Sequence, residues 1–235
     1  MAGGYDYIMY ERGMGMKFSE GLNICPGVTA LIGGGGKTSL MLTLADELKE
    51  RGSVIICTTT RIYPPPGMPV LTDGDADDIS AALKEHGAIC VGEHCGEKLG
   101  PAKLPVSRFA ALADYVIAEA DGAKGLPLKA HAEYEPVIPE GADVIYVVGA
   151  DGIGKPIGEA AHRPELYADK LGVDAAHIVS PEDAASMVDY GSKALFNKAE
   201  SPIDMENGRR FAAAFFGKTV IASLKNGEIY DIIPN

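Results

Sequence analysis

The chain has 235 residues, a net charge of −12, 46% hydrophobic residues and 23% charged residues. This length and composition are those of an ordinary globular protein, and we expect one α/β domain over residues 1–235. We expect no nucleic-acid partner, because the chain is acidic and has no basic stripe, so that it would repel phosphates.

The predicted elements alternate between strands and helices. In chain order they are a strand at 28–32, helix 39–51, strand 54–57, helix 77–86, strand 88–91, helix 107–113, strand 115–118, loop 127–141, strand 144–148, helices 164–171 and 181–190, strand 193–196, helix 205–215, strand 219–223 and a final arm at 228–233. Residues 1–20 are expected to form an N-terminal extension or strand, and residues 88–105 a possible β-hairpin insertion. The alternation predicts a three-layer α/β fold with a mostly parallel central sheet flanked by helices.

The cysteines and the apolar runs bear on location. No secretory pattern opens the chain and no apolar run reaches the length of a membrane span, so we expect a cytoplasmic protein with reduced thiols and no membrane partner. Cys90 and Cys95, with His94 between them, suggest a metal site. A structural zinc site needs four ligands and no second pair has suitable spacing, so partly buried cysteines are the favoured interpretation.

The most informative segment is a glycine run between an apolar strand and a helical pattern, Thr-Ala-Leu-Ile-Gly-Gly-Gly-Gly-Lys-Thr-Ser at 29–39. The glycines are Gly33, Gly34, Gly35 and Gly36. Glycine lets backbone N–H groups wrap an anion closely, so we expect these amides to hold the phosphates of ATP or GTP. Lys37 would add positive charge, and Thr38, assisted by Ser39, would hold the Mg²⁺ of the nucleotide. This segment predicts a P-loop NTPase-like fold.

The glycine run departs from the standard pattern G-x-x-x-x-G-K-[ST]. Counting back from Gly36 places the first glycine at Leu31, so a loop that opens at Gly33 is two residues short. A glycine-rich turn that packs closely and binds nothing is the alternative. Lys37 weighs against it, because a cation at a helix start opposes the helix dipole unless an anion lies nearby.

Two acidic residues, Glu119 and Asp121, follow the strand at 115–118. Either carboxylate could bind Mg²⁺ or orient an attacking water, and both are therefore candidate catalytic residues with Lys37. The alternative is an acidic surface turn. Lys124 and Lys129, in the next loop, would contact phosphate or substrate, or remain solvated.

The tetrapeptide Asn197-Lys198-Ala199-Glu200 also follows a strand. It is similar to the guanine-binding sequence Asn-Lys-x-Asp of GTPases, with Glu200 in place of aspartate. Asn197, Lys198 and Glu200 are therefore candidate nucleotide-binding residues. The extra methylene of Glu200 leaves the choice between ATP and GTP open.

Further candidates for substrate binding lie in two polar segments. Thr59 and Arg61 follow the second strand and offer a hydroxyl and a guanidinium for an oxyanion, although threonine is also a common strand residue. His162 and Arg163 could meet an anionic substrate or lie in a solvated loop.

These segments together resemble the selenium-dependent molybdenum hydroxylase accessory proteins, the YqeC-like family. The resemblance rests on the blocks Gly33 to Thr38, Thr58 to Ile62, Glu119 to Lys129, Glu135 to Pro139, His162 to Glu165 and Asn197-Lys198. It implies a P-loop NTPase-like protein that takes part in maturation of a molybdenum hydroxylase or of its molybdenum cofactor.

Three functions therefore compete. The first is a nucleotide-binding maturation factor that would act as a slow ATPase or GTPase. Its cofactor would be Mg²⁺, and its partner the hydroxylase or a molybdenum cofactor intermediate. The second is a small-molecule kinase or ligase-like phosphotransferase. The third is a non-hydrolysing scaffold whose degenerate loop binds the anionic part of a cofactor.

Overall fold

The computed structural model describes residues 15–234, and the part of the predicted N-terminal extension that precedes residue 15 lies outside them. The strands are β1 (Gly27–Gly33), β2 (Val54–Thr58), β3 (Val70–Leu71), β4 (Ala88–Val91), β5 (Glu93–Cys95), β6 (Lys98–Gly100), β7 (Tyr115–Glu119), β8 (Leu128–Lys129), β9 (Asp143–Gly149), β10 (Ala161–His162), β11 (Lys193–Asn197), β12 (Lys218–Ser223) and β13 (Glu228–Ile233). The helices are α1 (Phe18–Gly21), α2 (Lys37–Leu48), α3 (Ala76–His86), α4 (Val106–Phe109), α5 (Ile157–Ala160), α6 (Pro164–Leu171), α7 (Pro181–Ser186) and α8 (Pro202–Ala214), with a short 3₁₀ turn at Ala150–Gly152.

The central sheet has the strand order β13-β12-β11-β9-β1-β7-β2-β4-β3. Its strand pairs are parallel, except that β13 runs antiparallel to β12. The predicted mostly parallel sheet is therefore confirmed. Strand β1 lies at the centre, between β9 and β7, so the glycine run that follows it opens in the middle of the sheet edge.

Side chains of β1 alternate between the two faces of the sheet, and both faces are buried. Leu31 packs with α1 and α2 residues on one face. Its neighbours Ala30 and Ile32 pack on the other face, in a cluster with residues of α5 to α8. Helices α3 and α4 cover the part of that second face nearer β2 and β4. Helices on both faces of the sheet make three layers, as predicted.

The parallel arrangement gathers several polar residues at one edge. Strands β1, β7, β2 and β11 end at Gly33, Glu119, Thr58 and Asn197, and these ends meet at the same edge of the sheet. Ligands of open α/β sheets bind at this edge, beyond the carboxyl ends of the strands.

Several local elements differ from the predictions. Helix α7 ends at Ser186, not at 190, where the Ser186 hydroxyl donates to the carbonyl of Asp183. The predicted loop at 127–141 contains β8, which pairs with β10. Strands β5 and β6 are not such a difference: they form an antiparallel hairpin inside residues 88–105, the segment for which a possible β-hairpin insertion was predicted.

Two further findings concern composition. No helix among the described residues is long and apolar enough to cross a membrane. The cysteines of the described part are free thiols, and burial raises the pKa of Cys57 and of Cys90 to about 12.

Candidate functional site

Helix α2 begins at the glycine run without a side-chain cap. Helices α3, α7 and α8 are capped by Asp75, Ser180 and Ser201, which accept hydrogen bonds from first-turn amides. The cap position of α2 is Gly36, at φ 128°, and its first turn holds no acidic residue. Within residues 15–234 the amides of residues 36–39 have no hydrogen-bond partner, since the first helical bond is donated by Leu40 to Gly36. Unpaired amides at a helix start attract anions.

The amides of the preceding glycines are already bonded within the protein. Gly33 N donates to Oδ2 of Asp121 at 2.8 Å, Gly34 N to the carbonyl of Val147 at 2.9 Å, and Gly35 N to that of Leu126 at 3.0 Å. From the sequence, the amides of all four glycines were predicted to contact phosphates. Because the first three amides have partners, the candidate contact moves to residues 36–39.

A cavity of about 730 Å³ lies against the start of α2. Its lining combines residues from four strand ends and the β5–β6 hairpin: Gly35, Gly36, Lys37, Thr38, Ser39, Thr60, Arg61, Ile62, Tyr63, Lys98, Glu119, Gly122, Ala123, Lys124, Gly125, Leu126, Glu135 and Lys198. The cavity therefore unites most of the predicted loop with Arg61, Lys124, Lys198 and Glu119. In a chain of net charge −12, five lysine or arginine side chains in this lining mark it as a place for an anion.

Lys37 and Asp121 form a buried ion pair beneath the glycine run. Lys37 Nζ lies 2.9 Å from Oδ1 of Asp121 and donates to the carbonyl of Gly33 at 2.6 Å. The side chain of Asp121 is 0% exposed. Burial alone would raise the pKa of Asp121, but the ammonium of Lys37 and the hydrogen bond from His131 hold that pKa well below its ordinary value. Asp121 is thus the carboxylate partner of Lys37 below the loop.

His131 was missed by the sequence interpretation, which placed it in an unassigned loop. Its Nε2 lies 2.6 Å from Oδ2 of Asp121 and its Nδ1 lies 2.8 Å from Oδ1 of Asp189. Both partners are carboxylates, so only the doubly protonated ring can donate to both. Burial alone would lower the pKa of His131, and the two carboxylates raise it above its ordinary value. No local pattern could have joined residues 58 positions apart.

The raised pKa of His131 predicts a pH-dependent stability. A group whose pKa is higher in the folded chain stabilises fully below its unfolded pKa, about 6.5, and this contribution is lost as the pH rises through the folded-state pKa. The loss of unfolding free energy caused by His131→Asn should therefore shrink between about pH 6 and about pH 9. Urea unfolding at both pH values measures it, with the exposed His86→Asn as the control. A pH-independent loss would contradict the assignment.

Lys129 and Arg163 lie behind the cavity and share one carboxylate. Lys129 Nζ is 2.6 Å from Oε2 of Glu135, 3.4 Å from Oδ2 of Asp121, and donates to the carbonyl of Gly122. Arg163 pairs with the same Glu135 oxygen. Although burial opposes it, the hydrogen bonds from Arg163 and Lys129 hold the pKa of Glu135 below its ordinary value. Both predicted substrate-binding cations are therefore engaged within the protein.

Two other predicted substrate residues also lie outside the cavity lining. The Thr59 hydroxyl donates to the carbonyl of Val137 at 2.9 Å. His162 is half-buried in β10, where burial lowers its pKa. The structure thus separates these residues from Arg61 and Lys124, which border the cavity.

Glu119 and Thr38 face each other across the start of α2. The Thr38 hydroxyl donates to Oε2 of Glu119 at 2.8 Å. Burial raises the pKa of Glu119, in spite of the nearby Lys37. Of the two predicted carboxylates, Glu119 borders the cavity, whereas Asp121 lies beneath the loop.

The tetrapeptide at 197–200 contacts the glycine run through Asn197. Asn197 Nδ2 donates to the carbonyl of Gly35 at 2.8 Å, and Asn197 Oδ1 accepts from the amide of Leu224 at 3.0 Å. Lys198 borders the cavity and pairs with Asp151 at 2.8 Å. Glu200 is directed to β12 and its turn, where it pairs with Lys225 at 3.3 Å. Asn197 therefore links the predicted base-binding segment to the loop.

The central strand, glycine loop, uncapped helix and Lys37-Thr38 pair define a P-loop NTPase-like α/β protein. A family model described as YqeC protein matches residues 29–165. The chain is 32% identical over 182 residues to a protein of Escherichia coli (strain K12) described as uncharacterized protein YqeC. The aligned region covers 73% of this chain and 71% of that protein. The chain belongs to the YqeC family, as its resemblance predicted.

Among solved structures, the chain is similar to the signal recognition particle 54 kDa protein of Aeropyrum pernix K1, determined in complex with GDP. The superposition has a TM-score of 0.38 and 15% sequence identity. It covers 90% of this chain and 44% of that protein, so this chain spans less than half of its length.

Proposed function

We propose that this protein binds a nucleoside triphosphate with Mg²⁺ at the start of α2 and hydrolyses it slowly. The observation that carries the proposal is the uncapped twelve-residue helix, whose unpaired amides open into a cavity lined by cations. A triphosphate supplies the negative charge that both features favour. The amides of residues 36–39 bind its phosphates, and Lys37 adds a fixed positive charge beneath them.

The donor set at the cavity fits Mg²⁺. This ion prefers oxygen ligands and binds proteins through one or two side chains, with phosphate oxygens and waters completing the shell. Thr38 and Glu119 present a hydroxyl and a carboxylate side by side on the cavity wall, and these residues would hold the ion. When bound, Mg²⁺ neutralises charge on the phosphates.

Glu119 and Asp121 were predicted to have the same role, but we propose different roles for the two carboxylates. Glu119 borders the cavity and would hold Mg²⁺ together with Thr38. Asp121 is enclosed by Lys37, Lys129 and His131, so it acts as the counter-ion that holds Lys37 in place.

The segment Gly122 to Lys129 connects the cavity to the loop. Gly122 to Leu126 border the cavity, and the Leu126 carbonyl accepts from Gly35. We propose that nucleotide turnover in the cytoplasm repositions this segment, which then admits or releases a client. From the family resemblance, the client is a selenium-dependent molybdenum hydroxylase or its cofactor intermediate.

A second candidate function is phosphotransfer to a small molecule. The observation that favours it is the breadth of the cavity, which extends past the start of α2 to Arg61 and Lys98. A phosphorylated or adenylated product would distinguish this activity from slow hydrolysis.

The experiment is isothermal titration calorimetry with Mg-ATP and Mg-GTP. We expect one of them to bind, and Lys37→Met to weaken it at least about tenfold, or about 1.4 kcal/mol. The matched control is Lys49→Met, at the exposed C-cap position that follows the far end of α2. Because Lys37→Met also unpairs Asp121, thermal melting must show that the variant is folded.

A second variant leaves the buried ion pair intact. Thr38→Val removes one hydroxyl, and we expect nucleotide binding to lose its dependence on Mg²⁺. If wild-type protein binds neither nucleotide at millimolar concentration, the proposal fails. Unchanged affinity in a folded Lys37→Met variant would make the loop structural.

A further inference from the structure

One side of the cavity, away from Lys198, is formed by Thr60, Arg61, Ile62, Tyr63 and Lys98, and we name it the cationic wall. Its two parts come from separate segments, the residues after β2 and the β5–β6 hairpin. Ile62 and Leu99 exchange backbone hydrogen bonds of 3.0 and 2.8 Å, which fix the hairpin to the residues after β2. This pairing brings Lys98 beside Tyr63, a contact that the sequence did not predict.

The cations of this wall have no carboxylate partner among residues 15–234. In the part of the chain that the structure describes, Arg61 and Lys98 form no salt bridge, whereas Lys198 across the cavity pairs with Asp151. Lys103, which follows the same hairpin, pairs with Asp73 and Glu93. Unneutralised cations in an acidic protein concentrate positive potential on one wall.

The wall also presents an aromatic surface. Lys98 Nζ lies 4.6 Å from the centroid of the Tyr63 ring, and Tyr63 is 61% exposed. This cation–π contact positions the Lys98 ammonium. Because the ring is uncharged, the positive charge of Lys98 is not neutralised.

The sheet order places the cationic wall away from the candidate base-binding segment. Strand β2 lies two strands from β1 on one side, and β11 lies two strands from β1 on the other. At about 4.8 Å per strand, each end is about 10 Å from the loop. A nucleotide with its phosphates at α2 and its base near Lys198 would therefore leave the cationic wall free.

We propose that Arg61 and Lys98, with Tyr63, form a subsite for the phosphate monoester group of a second substrate. A guanidinium suits two phosphate oxygens at once, and the lysine adds a mobile point charge. This inference rests on the proposed function, because it takes the nucleotide to occupy the α2 side of the same cavity. It names the second ligand as a phosphorylated small molecule.

The test uses phenyl phosphate as the probe and the β,γ-imido analogue of the preferred nucleotide to fill the α2 side. Calorimetry measures probe binding to the protein saturated with the analogue and Mg²⁺, and again without nucleotide. We expect the double variant Arg61→Ala/Lys98→Ala to weaken the probe at least about tenfold and to weaken the nucleotide by a clearly smaller factor. Lys84→Ala, a cation of α3 without a salt bridge among the described residues, is the control and should change neither.

The outcomes separate this inference from the proposed function. If the double variant weakens nucleotide as much as probe, the wall belongs to the nucleotide site and the inference is overturned. Equal probe affinity in wild type and variant, or no probe binding to wild type, also overturns it. If nucleotide fails to bind while the probe binds and depends on Arg61 and Lys98, the subsite stands and the proposed function fails.

Discussion

Asp121→Asn is expected to lower the free energy of unfolding by about 3–5 kcal/mol, the usual loss when one partner of a buried ion pair is removed. The substitution keeps the shape of the side chain but removes its charge. Lys129 retains Glu135 and His131 retains Asp189, whereas Lys37 retains the carbonyl of Gly33 but no carboxylate among residues 15–234. The loss therefore comes mainly from an uncompensated lysine beneath the loop.

Urea unfolding of four variants checks this origin: Asp121→Asn, Lys37→Met, the double variant of both, and Asp46→Asn. Asp46→Asn breaks an exposed pair with Lys49 and should change stability little. The double variant Lys37→Met/Asp121→Asn removes both charges and should be less destabilised than the sum of its single changes. Additive losses would show that Lys37 and Asp121 are not coupled.

Gly35→Ala is expected to destabilise the protein and to weaken nucleotide binding together. Gly35 has φ 78°, and a Cβ there would lie 2.3 Å from the backbone N of Gly149. Backbone cannot move aside as a flexible side chain can, so the two loops must separate. Such overpacking costs about 1–3 kcal/mol beyond the conformational strain.

The chain offers a control that isolates the clash. Gly125 has φ 77° and borders the same cavity, but nothing lies within 4 Å of a Cβ placed there. Gly125→Ala should show only the cost of a left-handed alanine, about 1–2 kcal/mol. Equal melting temperatures and nucleotide affinities for the two variants would mean that contact with Gly149 is unimportant.

The sequence was sufficient for the fold because the responsible signals are local. Apolar runs alternate with helical periodicity, and Gly33 to Thr38 lies between the first strand and the first long helix. These patterns depend on neighbours within about two helical turns, so they can be read without the tertiary structure. Short elements such as β8 and β10 form only because they pair with each other.

Fewer residues of the candidate site could be predicted from the sequence, because their contacts are not local. Lys37, Glu119 and Arg61 follow strand ends and could be assigned to the edge of a parallel sheet. The partners of Asp121 could not be assigned, since His131 and Asp189 meet it only through tertiary packing. Lys98 lies in a hairpin whose position depends on Ile62 and Leu99.

The bond from Gly35 N–H to Leu126 O has a thermodynamic consequence. A ligand at residues 36–39 that also took the Gly35 amide would have to displace the carbonyl, and would shift the segment that also provides Pro127 O to the amide of Gly149. Ligand and segment then compete for one donor, and each weakens the binding constant of the other by the same factor. A partner that pulls Leu126 away would raise ligand affinity, and a partner that presses it inward would expel the ligand.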